Sequence, residues 1–211
     1  MDRSVPMSNG EPSRRSDGIQ AAATRQRRSE ILDAAVGAFT AFGYNGTSLR
    51  DVATRAGMSH TGLLHHYADK IALLEAVLDD RLAGATASFA LDSRDGETFI
   101  RALVQVAHHD VTDPTTIALF TKLAAESTTP SHPAHAYFTR WYATIRDRLE
   151  EAFTDLDHRG LYLGTIPPHL AALQTAAVRD GLNLQWLLAP TEINLVDAIR
   201  THFLAYVELD L

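Results

Sequence analysis

The 211-residue chain contains no cysteine, so disulfide bridges and thiolate chemistry are both excluded. It also lacks any apolar run of the length that spans a bilayer. The segment from Met1 to Gly18 is rich in Ser, Pro, Arg and Gly and has no apolar stretch like that of a signal peptide. We therefore expect a cytoplasmic protein that begins with a disordered tail, placed at residues 1–23.

Motifs of catalysis and metal binding are equally scarce. No nucleophile elbow, phosphate loop or dinucleotide fingerprint occurs in the sequence. Histidines lie close together at 108–110 and 132–135, but there is neither Cys nor a His-Glu-x-x-His spacing to support a zinc site. We expect no metal, no cofactor and no enzyme. A helical metal-dependent enzyme that uses these histidines is the alternative from another class.

Positive charge is in short supply overall, since the formal net charge is −7, but its distribution is uneven. Residues 1–70 hold nine Lys/Arg against seven Asp/Glu, whereas residues 71–211 hold ten against nineteen. A mildly basic head on an acidic body is compatible with a DNA-binding end that is kept apart from a domain with another function.

Apolar residues recur at helical spacing along nearly the whole chain, which predicts an all-α fold of about nine helices. The first predicted helix ends at Gly43 and has an apolar face of Ile31, Leu32, Ala35, Phe39 and Phe42. The long fourth helix begins after Asp69 and is expected to bury Ile71, Leu74, Leu78, Leu82 and Ala85. Pro114 is expected at the first position of the sixth helix.

Two short predicted helices joined at residues 56–59 have the form of a helix-turn-helix. Ser48 and Asp51 have the spacing of a capping box at the start of the first helix. Gly57 can adopt the positive φ that ends this helix, and Ser59 can cap the next one. A turn of this length sets the second helix at a steep angle, so that its first turn can enter the major groove of DNA.

Several spacings in this region match a known family at once. Gly43-Tyr44, Thr47–Ala53, Ala56–Ser59, Leu63, His66-Tyr67 and Lys70 resemble the N-terminal signature of the TetR family over about residues 24–78. Residues 180–188 are similar to the penultimate helix of many members. The resemblance implies a homodimer, an operator with inverted symmetry, and a C-terminal pocket whose ligand lowers DNA affinity. The chain departs from the family at Leu64, where a Tyr is usual, and at Thr61, where Gly or Pro is common.

The same resemblance assigns residues to DNA. Positions that match base-reading residues are Arg50, His60, Thr61 and His65. Positions that match backbone-contacting residues are Thr47, Ser48, His66, Tyr67 and Lys70. Separately from the resemblance, Arg25 and Arg28 belong to a basic run at the start of the first helix and are candidates for contact with phosphate or the minor groove. Helix capping for Thr47 and Ser48, core packing for Tyr67 and solvated side chains for the arginines are the alternatives.

The predicted body of the protein, residues 71–211, is a helical ligand-binding and dimerisation domain joined to a helix-turn-helix domain at 24–70. Its candidate ligand-pocket residues are Phe120, Trp141, Tyr142, Asn183 and Trp186. Its candidate dimer-interface residues are Leu173, Gly181, Leu184, Leu188, Val196 and Phe203. The sequence thus favours a repressor that binds double-stranded operator DNA and is released by a small, largely apolar effector. A regulator or activator of the same fold without an effector is the alternative.

Overall fold

The computed structural model describes residues 13–211, which form nine α-helices, as predicted. The helices are α1 (Ser13–Phe42), α2 (Leu49–Arg55), α3 (His60–His66), α4 (Lys70–Phe89), α5 (Gly96–Thr112), α6 (Thr115–Glu126), α7 (His135–His158), α8 (Pro168–Leu188) and α9 (Leu195–Leu204). An isolated antiparallel bridge joins Tyr162 and Val207. The predicted fold class is therefore confirmed.

Helix α1 begins earlier than expected. Residues 13–23 were predicted as part of the disordered tail, but they continue α1 toward the N-terminus. The run Ala21-Ala22-Ala23 and its Gln and Arg neighbours are strong helix formers, so helical propensity extends α1 beyond its buried part. The remainder of the predicted tail, residues 1–12, lies outside the described residues.

Polar side chains determine where several helices start. Ser48 accepts a hydrogen bond from the N–H of Asp51 and completes the predicted capping box. Asp69 caps α4 by accepting from the N–H of Ala72 at 2.8 Å. Helix α6 starts one residue later than predicted, because Pro114 occupies the cap position rather than the first turn.

A first hydrophobic core joins the N-terminal helices to part of the body. It contains Ile31 and Phe39 of α1, Val52 of α2, Leu63 of α3 and Leu74 and Leu78 of α4, together with Leu119 and Leu123 of α6 and Phe138 of α7. The predicted boundary at residue 70 is therefore crossed by continuous apolar packing. Burial of this shared surface stabilises the helix-turn-helix against α6.

A second core fills the rest of the body. Its largest fully buried side chains are Phe99, Ile100 and Leu103 of α5, Phe153 of α7 and Phe203 of α9. Helix α8 closes this core with small residues such as Ala171 and Ala172, which let α7 and α9 approach closely. Helix α7 is long enough to contribute its first turns to one core and its last turns to the other.

Three side chains expected in the cores are exposed. Phe42 is 56% exposed at the end of α1, and Ile71 and Leu82 of α4 are exposed as well. Helix α4 instead buries adjacent pairs, Leu73-Leu74 and Val77-Leu78. Apolar residues cover a wide arc of this helix, so the periodicity alone does not determine which part of the arc faces the core.

Candidate DNA-binding site

The turn between α2 and α3 has the geometry of a Schellman motif. Gly57 has φ of 63°, and its N–H donates to the carbonyl of Thr54 at 3.2 Å. The N–H of Met58 donates to the carbonyl of Ala53 at 3.0 Å. Ser59 then caps α3 by accepting from the N–H of Gly62 at 3.0 Å. The two short helices are therefore held at a fixed angle by backbone and cap hydrogen bonds.

One face of α3 is buried and the other is open. Leu63 is fully buried, whereas Thr61 and His65 are exposed and His60 is partly exposed. Leu64, which the sequence did not indicate as a contact residue, is 38% exposed on the same outward face. Arg50 is exposed on α2. The four predicted base-contacting side chains are thus accessible, together with an apolar leucine.

Three residues that match backbone-contact positions pack or hydrogen-bond within the protein. The Thr47 hydroxyl is buried and donates to the carbonyls of Gly43 and Ala38 at 2.7 and 3.1 Å. The Lys70 ammonium donates to the carbonyls of Tyr44 and Thr47 at 2.9 Å each. The family signature identified these positions but not their partners. A hydroxyl or an ammonium group can donate to a backbone carbonyl as readily as to a phosphate oxygen, so the residue type alone does not specify the acceptor.

Tyr67 is the third such residue. Its ring is buried in the first core, and its hydroxyl is enclosed rather than facing solvent. The Arg28 guanidinium lies over this ring, 5.7 Å from its centroid. Tyr67 therefore packs in the core, which is the alternative to DNA contact, and Arg28 is the cation next to its ring.

The other predicted backbone-contact residues are accessible. Ser48 is exposed even though its hydroxyl donates to Asp51 Oδ2 at 2.6 Å. Arg25 and Arg28 are exposed on α1, and His66 is partly exposed at the end of α3. These four side chains are therefore open to contact from outside, and Arg28 lies next to Tyr67, the residue that ends α3.

Three residues of the body hold the turn between α1 and α2, and we call their contacts with residues 40–44 the α6 clasp. The Lys122 ammonium donates to the carbonyls of Thr40 and Ala41, at 2.9 Å each. Glu126 Oε2 accepts from the N–H of Tyr44 at 2.8 Å. The third residue, His132, packs edge-on against the Tyr44 ring with centroids 5.1 Å apart.

The Glu126 and His132 side chains pack closely in the α6 clasp. Gly43 has φ of 71°, and a Cβ there would overlap the Glu126 carboxylate. The N–H of Ala134 donates to His132 Nδ1 at 3.2 Å, which leaves the ring proton on Nε2. That nitrogen faces Glu126 Oε2 at 3.7 Å. No local pattern in the sequence indicates the α6 clasp, because Tyr44 and Glu126 are 82 positions apart in the chain.

An exposed apolar stripe runs along α8. Leu173, Leu184 and Leu188 are 51, 49 and 78% exposed, and they lie on the same side of the helix as Gly181. Val196 and Phe203 of α9 were assigned to the same interface, but both are buried in the second core of their own subunit. Helix α9 turns its apolar face inward because it has to cover α5 and α8.

Three of the five predicted pocket residues, Phe120, Tyr142 and Trp186, are engaged in packing or hydrogen bonds away from any groove. Phe120 lies in an aromatic cluster with Trp141, and Trp186 is buried in the second core. The Tyr142 hydroxyl donates to Asp180 Oδ2 at 2.7 Å. Asn183 differs from these three, because its Oδ1 is buried without a hydrogen-bond partner among the described residues. Trp141 alone among the five lines a groove of about 540 Å³ between α4, α5 and α7.

The histidines considered for a metal have other surroundings. His135 Nδ1 lies 2.8 Å from the carbonyl of Ser127, while His108 and His109 are exposed on α5. Residues 13–211 contain no group of three or more His, Asp or Glu side chains arranged to hold a metal ion. No helix in the same range combines the length and apolar character that crossing a membrane requires.

Known proteins share both the sequence signature and the fold. Residues 31–77 match the family model described as bacterial regulatory proteins, tetR family. The transcriptional regulator TtgR of Pseudomonas putida is 30% identical over 195 residues, which cover 83% of this chain and 87% of TtgR. The regulator BetI of Burkholderia mallei is 33% identical over 185 residues, which cover 82% of this chain and 88% of BetI.

Solved structures agree on the architecture. The complex of SmeT with triclosan superposes with a TM-score of 0.72 at 19% identity, covering 87% of this chain and 92% of SmeT. The fold and the exposed second helix of the helix-turn-helix define a DNA-binding transcriptional regulator rather than an enzyme. The relatives specify the group further. The chain belongs to the TetR family of bacterial regulators.

Proposed function

We propose that this regulator is a repressor that binds a palindromic operator as a homodimer and is released by a small-molecule effector. The observation that carries the DNA-binding part is the outward face of α3, where Thr61, Leu64 and His65 are exposed above the fully buried Leu63. A similar protein, SmeT, is described as the repressor of the multidrug efflux pump SmeDEF of Stenotrophomonas maltophilia.

Base reading is proposed for Arg50, His60, Thr61 and His65. An arginine can hold the O6 and N7 atoms of guanine with two hydrogen bonds, and a threonine can hydrogen-bond a base edge or pack on a thymine methyl. Leu64 joins this set, because an exposed apolar side chain on the same face suits a thymine methyl. Polar and apolar readout are then combined on one short helix.

Contacts with the DNA backbone are proposed for Arg25, Arg28, Ser48 and His66. All four side chains are at least partly exposed, and Arg28 and His66 lie at the end of α3. Arginine contacts to phosphate supply affinity that depends on salt and little sequence preference. Thr47 and Lys70 support these residues indirectly, since they hold the turn between α1 and α2 in place.

Dimerisation is proposed through the α8 stripe of Leu173, Gly181, Leu184 and Leu188. Leucines exposed to this extent form a contiguous apolar surface, which monomeric proteins rarely leave uncovered. A two-fold axis at this stripe places identical surfaces against each other. The two α3 helices would then bind half-sites about 34–36 Å apart, which requires inverted symmetry in the operator.

An operator selected from a random duplex library provides the decisive experiment. We expect a gel shift with the selected sequence at nanomolar protein and binding of a scrambled duplex that is weaker by about 10³-fold or more. The specific complex should contain two chains, as measured by light scattering. Equal affinity for selected and scrambled DNA at physiological salt would contradict the proposed function.

A further inference from the structure

Helix α1 extends well beyond the core of the protein. The helix begins at Ser13, but its first residues in the first core are Ile31 and Leu32. Every residue from 20 to 29 is exposed, and a Cβ at Gly18 would meet nothing within 4 Å. We call residues 18–29 the α1 extension. At 1.5 Å per residue it is about 18 Å long.

The α1 extension is not held by polar contacts with other helices. In the described part of the chain, the hydrogen bonds and ion pairs of residues 20–29 stay within α1, as when Thr24 donates to the carbonyl of Gln20 and Gln26 donates to Glu30. A helix that continues a folded one needs no new nucleus, so the extension can be helical without packing. Its surface is therefore accessible to another molecule.

The charge of the α1 extension is of one sign. It contains Arg25, Arg27 and Arg28 and no Asp or Glu. Arg27 pairs with Glu30 at 2.8 Å, whereas Arg25 and Arg28 have no carboxylate partner among the described residues. Double-stranded DNA fits such a surface, because it presents a regular array of phosphates.

The two unpaired arginines lie on the same side of the helix. Gly18, Ala21, Arg25 and Arg28 are spaced by three, four and three residues, which places them in line along α1. We call these four residues the basic face. Four residues further along the same line, Leu32 is buried in the first core. The small residues at 18 and 21 allow the helix backbone to approach a surface closely.

The basic face is turned toward one end of the proposed recognition helix. The Arg28 guanidinium lies over the Tyr67 ring, 5.7 Å from its centroid, and Tyr67 is the residue that ends α3. The major groove that α3 is proposed to enter is about 12 Å wide and is bordered by phosphates on both sides. An element that starts beside one end of α3 therefore lies near one of these phosphate strands.

We propose that the basic face binds the DNA backbone beside the groove that α3 enters, with the α1 extension lying along several consecutive phosphates. This contact rests on the proposed function and extends the DNA-binding surface beyond the helix-turn-helix and beyond its two arginines. Since the phosphates are the same at every base pair, the contact contributes affinity and salt dependence but no base preference.

Two exposed alanines of the α1 extension provide a matched test. Ala21 lies on the basic face, and Ala23 lies on the opposite side of the helix, about 200° away. Ala21→Glu places a carboxylate toward the phosphates, four residues before Arg25. Ala23→Glu adds the same charge on the far side, four residues before Arg27. Glutamate is a good helix former, so both variants should keep the extension helical.

The two variants should differ in DNA affinity. We expect Ala21→Glu to weaken binding to the selected operator about tenfold at about 0.1 M salt and to reduce the salt slope by about one per subunit. Ala23→Glu should stay within about twofold of the wild type. Scrambled DNA should lose affinity by the same factor as the operator, because no base contact is involved. Urea denaturation should give the wild-type stability for both variants, since both positions are exposed.

Hydrogen exchange locates the contact on the protein. Binding of the selected operator should slow amide exchange in residues 20–29 of the wild type and of Ala23→Glu, and should slow it less in Ala21→Glu. Protection of this segment is expected only if DNA stabilises the extension, because the free protein exposes it on all sides.

The possible outcomes separate this contact from the proposed function. Equal affinities and equal salt slopes for the two glutamate variants, or unchanged exchange of residues 20–29 in the complex, would overturn the contact. A changed oligomeric state of Ala21→Glu in sedimentation would show that the basic face binds a second copy of the chain instead, and would also overturn it. Equal binding of selected and scrambled DNA by the wild type would contradict the proposed function itself.

Discussion

The backbone N–H of Tyr44 donates a 2.8 Å hydrogen bond to Glu126 Oε2, although the two residues are 82 positions apart in the chain. This bond is the centre of the α6 clasp and joins the last turn of α6 to the turn that precedes the helix-turn-helix. The DNA-binding helices are therefore attached to the body through α6 as well as through the covalent link into α4.

Replacing Glu126 tests the contribution of this bond to stability. Glu126→Ala leaves the Tyr44 N–H without its acceptor and should lower the free energy of unfolding by about 1–3 kcal/mol, as measured by urea denaturation. Glu126→Gln keeps an oxygen acceptor and should recover part of the loss. The control Glu150→Ala changes an exposed residue of α7 and should have little effect. Equal losses for Glu126→Ala and Glu150→Ala would show that the bond contributes nothing.

Substitutions on the outward face should affect specificity. Arg50→Ala and Thr61→Ala should each weaken binding to the selected operator by about 1–3 kcal/mol and leave binding to scrambled DNA nearly unchanged. Arg101→Ala, which alters an exposed arginine of the body, is the control and should leave both affinities unchanged. Wild-type operator affinity in both α2 and α3 variants, across a range of salt concentrations, would place the recognition surface elsewhere.

Lys70 distinguishes a structural from a phosphate-binding role. Because its ammonium donates to two backbone carbonyls, Lys70→Met should lower the free energy of unfolding by about 1–3 kcal/mol. The dependence of DNA affinity on salt should keep its slope, since no phosphate contact is lost. A reduced slope in a variant of normal stability would restore the phosphate contact that the family signature implies.

Oligomeric state tests the α8 stripe. A Cβ at Gly181 would meet only the Gln185 side chain, at 4.0 Å, so Gly181→Leu fits within its own subunit. We expect this variant and Leu173→Asp to sediment as folded monomers at micromolar concentration. Leu163→Asp changes an exposed leucine outside the stripe and should remain dimeric. A wild-type monomer under the same conditions would remove the proposed interface.

Asp110 should give the stability a distinctive dependence on pH. It is 6% exposed on α5, and burial raises its pKa to about 6, with the charges of Arg179 and His109 opposing and that of Asp113 adding. Because the folded state holds this proton more tightly than the unfolded chain, the contribution is favourable below about pH 4 and is lost as the pH rises to about 6.

The variant Asp110→Asn isolates this contribution. Relative to the wild type, its free energy of unfolding should increase between about pH 4 and 7, by up to about 3 kcal/mol. The exposed Asp113 has a pKa lowered by the hydrogen bonds from Thr115, so Asp113→Asn should show a change of opposite sign over lower pH. A difference between Asp110→Asn and the wild type that does not vary with pH would show that the Asp110 carboxyl titrates normally.

Local signals in the sequence predicted most of the fold. The pair Ser48 and Asp51, and the caps Ser59 and Asp69, act over three residues, so their spacing is enough to place the starts of α2, α3 and α4. The accessible face of α3 followed from the same caps. The sequence also predicted which side of α8 carries the apolar stripe, since apolar residues repeat on one side of that helix.

Contacts between elements that are far apart in the chain could not be predicted from such local spacings. Lys70 matches a family position, but its carbonyl partners are set by how the turn after α1 folds back. Val196 and Phe203 lie on one apolar face of α9, and the same apolar spacing is found whether such a face packs in a dimer interface or, as here, in the core of the chain. The groove brings together α4, α5 and α7, and the order of residues along the chain does not specify how these three helices pack.

The first core has a consequence for how such regulators can be recombined. A chimaera that joins residues 1–70 to the body of another regulator would replace Leu119, Leu123 and Phe138, which complete the packing around Phe39. We expect that operator preference can be transferred by exchanging exposed side chains of α2 and α3, because such exchanges leave the core untouched. We therefore expect surface substitutions to exchange operator preference with less loss of stability than a chimaera joined at residue 70.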